Sequence, residues 1–242
     1  MRFQNEQGNQ GERRNLTSSG DPTLDVELAL MREGFNLVGG IDEVGTGSAV
    51  GPCACAIVVV NVDAGPIPTG LKDSKALSAS TRESLVPMIE TWALERSIGM
   101  ASVAEIDRYG LTVALRLAGY RALSELTTRP DVLLLDGKRD WLTLPFEPQL
   151  DVPNYPDIDL PAVRTLVKAD RTCASVSAAS VLAKVVRDEL LVGLSPNYPH
   201  YGWAKNKGYL SPEHLQAIDD FGLTEHHRSS WNLQRKNGEA PR

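Results

Sequence analysis

The chain has 242 residues, of which 42% are hydrophobic and 23% are charged, and its formal net charge at pH 7 is −6. This composition is typical of an ordinary soluble globular protein, and the length allows one domain with a substantial core. No apolar run approaches the ~18 residues needed to cross a bilayer, so a membrane-spanning protein is excluded. The negative net charge argues against binding nucleic acid through overall charge, while it leaves a local basic contact open.

The two ends of the chain differ in composition from its middle. Residues 1–20 contain no apolar core of the signal-peptide kind and are predicted to be a disordered tail, with 233–242 as a second one. Residues 21–232 are predicted to form one domain whose last part, about 195–232, is helical. We therefore expect a cytoplasmic protein. Three cysteines are predicted to be buried free thiols, namely Cys53, Cys55 and Cys173.

Apolar runs and helical periodicity predict alternating strands and helices, which is an α/β fold. The predicted strands are 35–42, 53–60, 98–103, 131–137 and 163–168. The predicted helices are 23–34, 78–97, 104–126, 174–194 and 211–221, and Pro87 is expected to kink the second of them. The first half of the helix 174–194 consists of small residues, which predicts close packing against its neighbours. The proline-rich segment 138–162 is predicted to be an irregular surface excursion with no assigned role.

Two adjacent carboxylates, Asp42 and Glu43, follow the first predicted strand and precede a glycine-rich turn. Successive side chains of a strand point to opposite faces, so these two acids converge only if the backbone bends between or after them. Gly45 and Gly47 permit such a bend and also allow a ligand to approach the main chain closely. Taken alone, this stretch is also compatible with an acidic turn before a hairpin.

Four carboxylates lie at the ends of predicted strands: Asp42, Glu43, Asp136 and Asp170. In α/β sheets the strand ends bring together side chains that are distant in sequence. Four carboxylates in one cleft repel each other unless cations compensate them, and Mg²⁺ or Mn²⁺ suits oxygen ligands. Two such ions would support phosphodiester hydrolysis without a protein nucleophile, and the sequence contains no nucleophile elbow, zinc-protease motif or P-loop. Scattered acids with no common role remain the alternative at this point.

Several motifs in order along the chain resemble ribonuclease HII, the type 2 ribonuclease H family, over roughly residues 38–231. They are GIDEVGxG at 40–47, GP at 51–52, KDSKALS at 72–78, LDG at 135–137, KAD at 168–170, SAASVLAKVVRD at 177–188, KGY at 207–209 with His214, and EHHRxS at 225–230. The resemblance implies an RNase H-like fold, with a five-stranded mixed sheet flanked by helices and a helical C-terminal part. It also implies hydrolysis of the RNA strand of RNA/DNA hybrids, and cleavage at ribonucleotides embedded in duplex DNA.

The same resemblance assigns roles to individual residues. Asp42, Glu43 and Asp136 match the ligands of Mg²⁺ or Mn²⁺, and Asp170 matches the fourth active-site acid. Tyr209 matches the tyrosine that stacks on a deoxyribose beside the RNA–DNA junction, with a packing role as the alternative. The other expected substrate contacts are Gly45, Thr46, Gly47, Lys75 and Ser180. The products are expected to carry 3′-hydroxyl and 5′-phosphate ends. We expect a monomer that acts in DNA replication and repair, and the sequence identifies no protein partner.

Thr46 departs from the family pattern, which normally reads Gly-Arg-Gly. In the family the main chain of this turn contacts the 2′-hydroxyl that distinguishes RNA from DNA. Readout by the main chains of Gly45 and Gly47 survives the change, whereas a guanidinium that could hold a phosphate is lost. A second function therefore stays open, namely an RNA/DNA hybrid-binding protein with weak or lost catalysis. A third, weaker alternative is a nuclease of this fold that acts on DNA alone.

Overall fold

The computed structural model of the chain describes residues 20–144, 151–231 and 233. Within these residues, five strands form one mixed sheet: Val38–Val44 (β1), Cys53–Val60 (β2), Glu95–Ala101 (β3), Val132–Asp136 (β4) and Ala162–Leu166 (β5). The strand order is β3-β2-β1-β4-β5. The strands β1, β2 and β3 are antiparallel neighbours, whereas β4 and β5 continue the sheet parallel to β1. The predicted α/β fold with a five-stranded mixed sheet is confirmed.

Helices cover both faces of the sheet. They are Asp25–Arg32 (α1), Ala79–Trp92 (α2), Val103–Tyr109 (α3), Leu111–Glu125 (α4), Ala169–Thr172 (α5), Ala174–Leu194 (α6), Trp203–Asn206 (α7) and Pro212–Phe221 (α8). The long helix α6 packs with α2 on one face, and α4 packs on the other. A third apolar cluster joins the end of α6 to α7 and α8, so the part of the chain after α6 is helical, as predicted. In the described part of the chain, no helix combines the length and apolarity that crossing a bilayer requires.

The central strand β2 shows how the sequence produces two cores. Its even-numbered residues, Ala54 to Val60, face α6, and its odd-numbered residues, Cys53 to Val59, face α4. All eight residues are buried, which is why the strand is a continuous apolar run. The three cysteines are free and buried, as predicted. Burial raises the pKa of Cys53 to about 11 and that of Cys173 to about 12, so neither thiol is an activated nucleophile at neutral pH.

Small residues let α6 approach the sheet closely. A Cβ added to Gly40 of β1 would lie 2.3 Å from the main chain of Ser175, so only glycine fits there. The start of α6 is also held by Glu27 of α1, which accepts hydrogen bonds from the N–H and Oγ of Ser175 at 2.9 and 2.7 Å. Burial raises the pKa of Glu27. The predicted close packing of this helix is confirmed, and it brings the α6 side chains to the C-terminal edge of β1.

Two predicted helices have different boundaries in the structure. The helix predicted over 78–97 ends at Trp92, because the chain from Glu95 onward pairs with β2. The helix predicted over 104–126 is two helices that meet at Gly110, where a φ of +80° interrupts the helical path. In both cases long-range pairing or one glycine outweighs the local helical pattern. Pro87 lies inside α2, and the kink expected there stays a prediction.

The prediction for segment 138–162 was partly wrong. Leu142 is fully buried, and Trp141 and Tyr155 pack against the core on the α4 face. The Tyr155 ring lies 4.9 Å from the ring of Tyr120 on α4. The segment therefore contributes side chains to the core although its backbone is irregular, because packing needs no periodic pattern. Residues 145–150 and the predicted tails, apart from Gly20 and Leu233, lie outside the described residues.

Candidate active site

The two acids of β1 lie on opposite faces of a strand that continues past both of them. Strand β1 extends to Val44, with Asp42 opposite Ala56 and Glu43 opposite Cys55. The bend therefore comes after Val44, two residues later than the predicted strand end. Strand β4 runs parallel beside β1, with Leu135 in register with Ile41, so Asp136 follows directly next to Asp42.

Asp170 reaches this edge through a short connection after β5. The N–H of Ala169 donates a 2.7 Å hydrogen bond to Oδ1 of Asp136, which holds the start of α5 against the end of β4. Lys168 supplies the left-handed turn into α5, with a φ of +63°. The hydroxyl of Ser177 on α6 donates to the carbonyl of Asp170 at 2.6 Å. Both sheet and helix therefore position the fourth acid.

Electrostatic interactions link the four acids. Burial, with the neighbouring charge of Glu43 next in size, raises the pKa of Asp42 well above its usual range. Burial and then repulsion from Asp136 raise the pKa of Glu43 and also that of Asp170. The Nζ of Lys75 lies 3.4 Å from Oδ2 of Asp170 and offsets part of this repulsion. The structure thus brings all four predicted acids to one negatively charged region at the end of β1 and β4.

The donor set of this region fits a hard divalent cation. Oε2 of Glu43 is buried and has no hydrogen-bond partner, which is costly for a carboxylate unless a cation pairs with it. Carboxylate oxygens are the ligands that Mg²⁺ and Mn²⁺ prefer. No group of three or more acid, His or Cys side chains in the described ranges is already drawn together closely enough to hold an ion.

The glycine turn follows Val44 and faces a tyrosine from the C-terminal part. Gly45 has a φ of +85°, Thr46 is half-buried, and Gly47 is exposed. A Cβ added to Gly47 would lie 3.5 Å from Cε1 of Tyr209, whose residue is 43% exposed. The turn and the ring thus face each other at close range on the surface. We call the set Gly45, Thr46, Gly47 and Tyr209 the turn–tyrosine slot.

Buried hydrogen bonds hold both sides of the turn–tyrosine slot. The N–H of Ala49 donates to the carbonyl of Gly208 at 3.0 Å, which joins the two chain segments directly. His214 Nδ1 lies 2.9 Å from the carbonyl of Tyr209, and His214 Nε2 lies 3.1 Å from Nε2 of His227. Burial lowers the pKa of both imidazoles, that of His227 to about 4, so both rings are neutral at pH 7. Two neutral histidines thus support the backbone of Tyr209.

Lys75 and Ser180 have different surroundings. The Lys75 side chain is 74% exposed beside the acids, where it can meet a phosphate. Ser180 is 2% exposed, and its hydroxyl accepts from the N–H of Ser74 at 3.2 Å and donates to Ser177 at 2.8 Å. Ser180 therefore supports the backbone that carries Lys75, and a direct contact of Ser180 with substrate stays a prediction.

Two residues near the site had no role in the sequence prediction. Asp73 is buried, accepts a hydrogen bond from the N–H of Lys75 at 3.0 Å, and pairs with Arg171 at 3.4 Å. Arg187 is fully buried on α6 beneath the glycine turn. In the sequence Arg187 belongs to the matched block 177–188, but α6 carries four charged residues, the others being Lys184, Asp188 and Glu189. Nothing in the local pattern marks Arg187 as the one that is fully buried.

Comparisons with known proteins show which family the chain resembles over most of its length. The sequence profile of the family described as ribonuclease HII matches residues 39–234. A ribonuclease HII of Streptomyces coelicolor is 41% identical over 211 residues, covering 87% of this chain and 83% of that protein. A ribonuclease HII of Paracoccus denitrificans is 42% identical over 213 residues, covering 87% and 91%.

Solved structures share the fold. The ribonuclease H2 of Pyrococcus horikoshii matches with a TM-score of 0.65 and 24% identity, covering 81% of this chain and 94% of that one. The RNase HII of Archaeoglobus fulgidus, solved in a complex with PCNA, gives 0.62 and 23%, covering 84% and 98%. The Bst-RNase HIII in complex with Mn²⁺ gives 0.56 and 22%, covering 81% and 66%. Together with the profile match and the curated relatives, the fold leads to one assignment. The chain belongs to the ribonuclease HII family, whose members are metal-dependent endoribonucleases.

Proposed function

We propose that this chain hydrolyses the RNA strand of RNA/DNA hybrids, and cuts duplex DNA at embedded ribonucleotides, by a two-metal-ion mechanism. The observation that carries the proposal is the convergence of Asp42, Glu43, Asp136 and Asp170 on one buried, negatively charged edge of the sheet, with a Glu43 oxygen left unpartnered. The products would have 3′-hydroxyl and 5′-phosphate ends.

The acids would hold the ions. Asp42, Glu43 and Asp136 are the proposed ligands, with Asp170 as the fourth acid, and Mg²⁺ or Mn²⁺ as the ion. When bound, such ions activate a water molecule and stabilise the leaving oxygen of the phosphodiester. The relative solved with Mn²⁺ supports a divalent ion in this fold without deciding which ion this chain uses. Lys75 lies 3.4 Å from Asp170 and lowers the pKa of this acid against the burial and the repulsion that raise it. Its exposed charge would also face the substrate backbone.

The turn–tyrosine slot would recognise the ribonucleotide. The main chain at Gly45 to Gly47 carries donors and acceptors that a 2′-hydroxyl can satisfy and a deoxyribose cannot. Gly47 is exposed and has no side chain to keep a sugar away. The exposed ring of Tyr209, on the other side of the slot, is available to stack on the neighbouring deoxyribose. Selectivity for RNA then depends on backbone position, so it is compatible with Thr46.

Cleavage of a DNA duplex that contains one ribonucleotide, with Mg²⁺ or Mn²⁺, tests the proposal. We expect the wild type to cut and Asp136→Asn to be slowed by more than about 100-fold, because removing even a group that only supports a metal ligand costs about 10–100-fold. Asp131→Asn is the matched control, since Asp131 lies at the opposite end of β4 and accepts from the N–H of Asn36 at 2.7 Å. The proposal fails if the wild type cuts with neither ion, or if Asp136→Asn cuts as fast as the wild type.

Thr46 keeps a second candidate function, a hybrid-binding protein with weak catalysis. The half-buried threonine offers no charge to a phosphate at the rim of the slot. Retention of the four acids favours the enzyme, because a binding protein gains nothing from a buried cluster of like charges. Tight binding of a hybrid without turnover, in either metal, would favour the second candidate.

The cellular setting belongs to the same proposal. We propose that the protein works as a monomer in the cytoplasm, on substrates that arise during DNA replication and repair. Its three buried free cysteines are consistent with a reducing compartment. The complex of the Archaeoglobus fulgidus relative with PCNA makes a PCNA-type protein a partner to test for this chain.

A further inference from the structure

Arg187 is a buried cation with an unusual set of partners. Its residue is 0% exposed, and its guanidinium donates to three main-chain carbonyls: Val50 at 2.7 Å, Lys207 at 2.9 Å and Pro52 at 3.3 Å. Among the described residues no carboxylate forms an ion pair with it, since the adjacent Asp188 pairs with Lys184 and Arg82 instead. An apolar side chain would avoid the cost of burying a charge here. The contacts themselves therefore have to explain why an arginine occupies the position.

The three carbonyls come from the two chain segments that form the turn–tyrosine slot. Val50 and Pro52 follow the glycine turn, and Lys207 lies two residues before Tyr209. The hydroxyl of Ser48 shares two of these acceptors, Val50 at 3.0 Å and Lys207 at 3.3 Å. The planar guanidinium reaches both segments at once from α6, and its fork holds them at one separation.

Arg187 also forms the floor of the glycine turn. A Cβ added to Gly45 would lie 2.6 Å from Nε of Arg187, so the backbone of the turn rests on the guanidinium. Only a glycine at position 45 allows this approach, and its φ of +85° is easily adopted only by glycine. Arg187 therefore supports the turn from below and, together with Ser48 and the Ala49–Gly208 hydrogen bond, contributes to the distance between the turn and Tyr209.

We propose that Arg187 is a positioning residue that sets the width of the turn–tyrosine slot and thereby the preference for a single embedded ribonucleotide. This inference rests on the proposed function. At a single ribonucleotide, the turn must meet the one 2′-hydroxyl while Tyr209 meets the adjacent deoxyribose, so both sides have to be in register. In a continuous RNA strand every sugar carries a 2′-hydroxyl, so a slot of altered width still meets one.

Arg187→Met and Arg187→Lys test this with two duplexes, one containing a single ribonucleotide and one an RNA/DNA hybrid. We expect Arg187→Met to lower the ratio of kcat/KM for the single ribonucleotide to that for the hybrid by about tenfold, because a misplacement of about 1 Å can cost about 100-fold and a smaller one costs less. Arg187→Lys, which keeps part of the donor set, should give an intermediate ratio. Arg121→Met is the matched control, since Arg121 donates to the carbonyl of Met100 at 2.7 Å and pairs with Glu105 on α3.

Thermal melting identifies any variant that does not fold, and Arg187→Lys carries the test if Arg187→Met fails to fold. A folded Arg187 variant that loses activity on both duplexes equally, or keeps the wild-type ratio, overturns the inference.

A binding measurement distinguishes failure of this inference from failure of the proposed function. In an Asp136→Asn background with Mg²⁺, Arg187→Met should reduce the preference for the ribonucleotide-containing duplex over an all-DNA duplex of the same sequence. An unchanged binding preference also overturns the inference, whether or not the wild type cleaves.

Discussion

The four acids Asp42, Glu43, Asp136 and Asp170, here called the acid cluster, lie next to the turn–tyrosine slot. The polar groups of the two regions nevertheless have very different hydrogen-bond partners. In the acid cluster, burial raises the pKa of Asp42 and of Glu43, with repulsion from Glu43 next for Asp42 and from Asp136 next for Glu43, and one Glu43 oxygen has no partner. Beneath the slot, the donors of Arg187 reach three carbonyls, and His214 holds Tyr209 through its main chain.

This difference in hydrogen bonding suits the different roles proposed for the two regions. In the acid cluster the protein leaves one Glu43 oxygen without a partner, and the proposed divalent cation would pair with it. The proposed reading of one hydroxyl group on a sugar needs a backbone that is held in place before substrate arrives, and the hydrogen bonds of Arg187 hold the backbone here.

Among the predictions that compare the two regions, the largest effect is expected from removing the exposed ring of Tyr209. Tyr209→Ala should lower kcat/KM on a single-ribonucleotide duplex by about 10–100-fold, since a stacked aromatic ring contributes about 1–3 kcal/mol. Tyr209→Phe is the control and should change it by less than about threefold, because the ring is kept. The melting temperature should not fall, since the residue is 43% exposed. Equal rates for the alanine variant and the wild type would show that the ring does not touch substrate.

The acid cluster should behave in the opposite way, gaining stability when a charge is removed. In EDTA at pH 8, Glu43→Gln should raise the free energy of unfolding by about 1–3 kcal/mol, the usual cost of an unsatisfied buried group. The folded-state pKa of Glu43 is raised, so its ionised form destabilises the fold above the unfolded pKa of about 4.3. The gain should therefore disappear as the pH falls below that value.

Denaturant unfolding at several pH values measures the effect of Glu43→Gln. Adding Mg²⁺ should stabilise the wild type more than the variant. The ion offsets the repulsion between the Glu43 carboxylate and the other acids, and the variant no longer has that carboxylate. Asp131→Asn again serves as the control. A loss of stability in Glu43→Gln at pH 8 without metal would contradict the claim that the unpaired Glu43 carboxylate destabilises the metal-free protein.

A smaller effect is expected from substitution of Lys75, an exposed lysine that pairs with Asp170 of the acid cluster. Lys75→Met should reduce the slope of log binding affinity against log salt by about 0.9, the loss of one phosphate contact. Affinity near 0.1 M salt should fall several-fold, and Lys75→Arg should keep the slope. Fluorescence anisotropy with a labelled hybrid over a salt series provides the measurement. An unchanged slope in Lys75→Met would show that Lys75 pairs with Asp170 but does not contact a phosphate of the substrate.

The smallest effect is expected from restoring the family residue at the slot. Thr46→Arg should increase the salt slope by about one contact and shift the preference between the hybrid and the single-ribonucleotide duplex by a few-fold. Thr46→Ser is the control for the side-chain change without a charge. Unchanged rates, preference and slope would mean that the residue at position 46 does not face the substrate backbone.

Much of the fold could be predicted from the sequence because its signals are local. The run of eight buried residues in β2 needed only neighbouring residues to be recognised as a strand. The boundaries failed where distant contacts decide. Glu95 belongs to β3 because it pairs with β2, and Leu142 is buried because α4 offers a surface for it. Neither contact leaves a trace in the local pattern.

The sequence by itself determined the order of strands and helices, the four candidate acids, the departure at Thr46 and the likeness to ribonuclease HII. It could do so because these depend on residue identity and on spacing along the chain. Only the tertiary structure decided that β1 and β4 run side by side, that Asp42 and Asp136 therefore meet, and that Arg187 is buried beneath Gly45. The partners of Arg187 at Val50 and Pro52 are 137 and 135 residues away, and such contacts are set by how the whole chain packs.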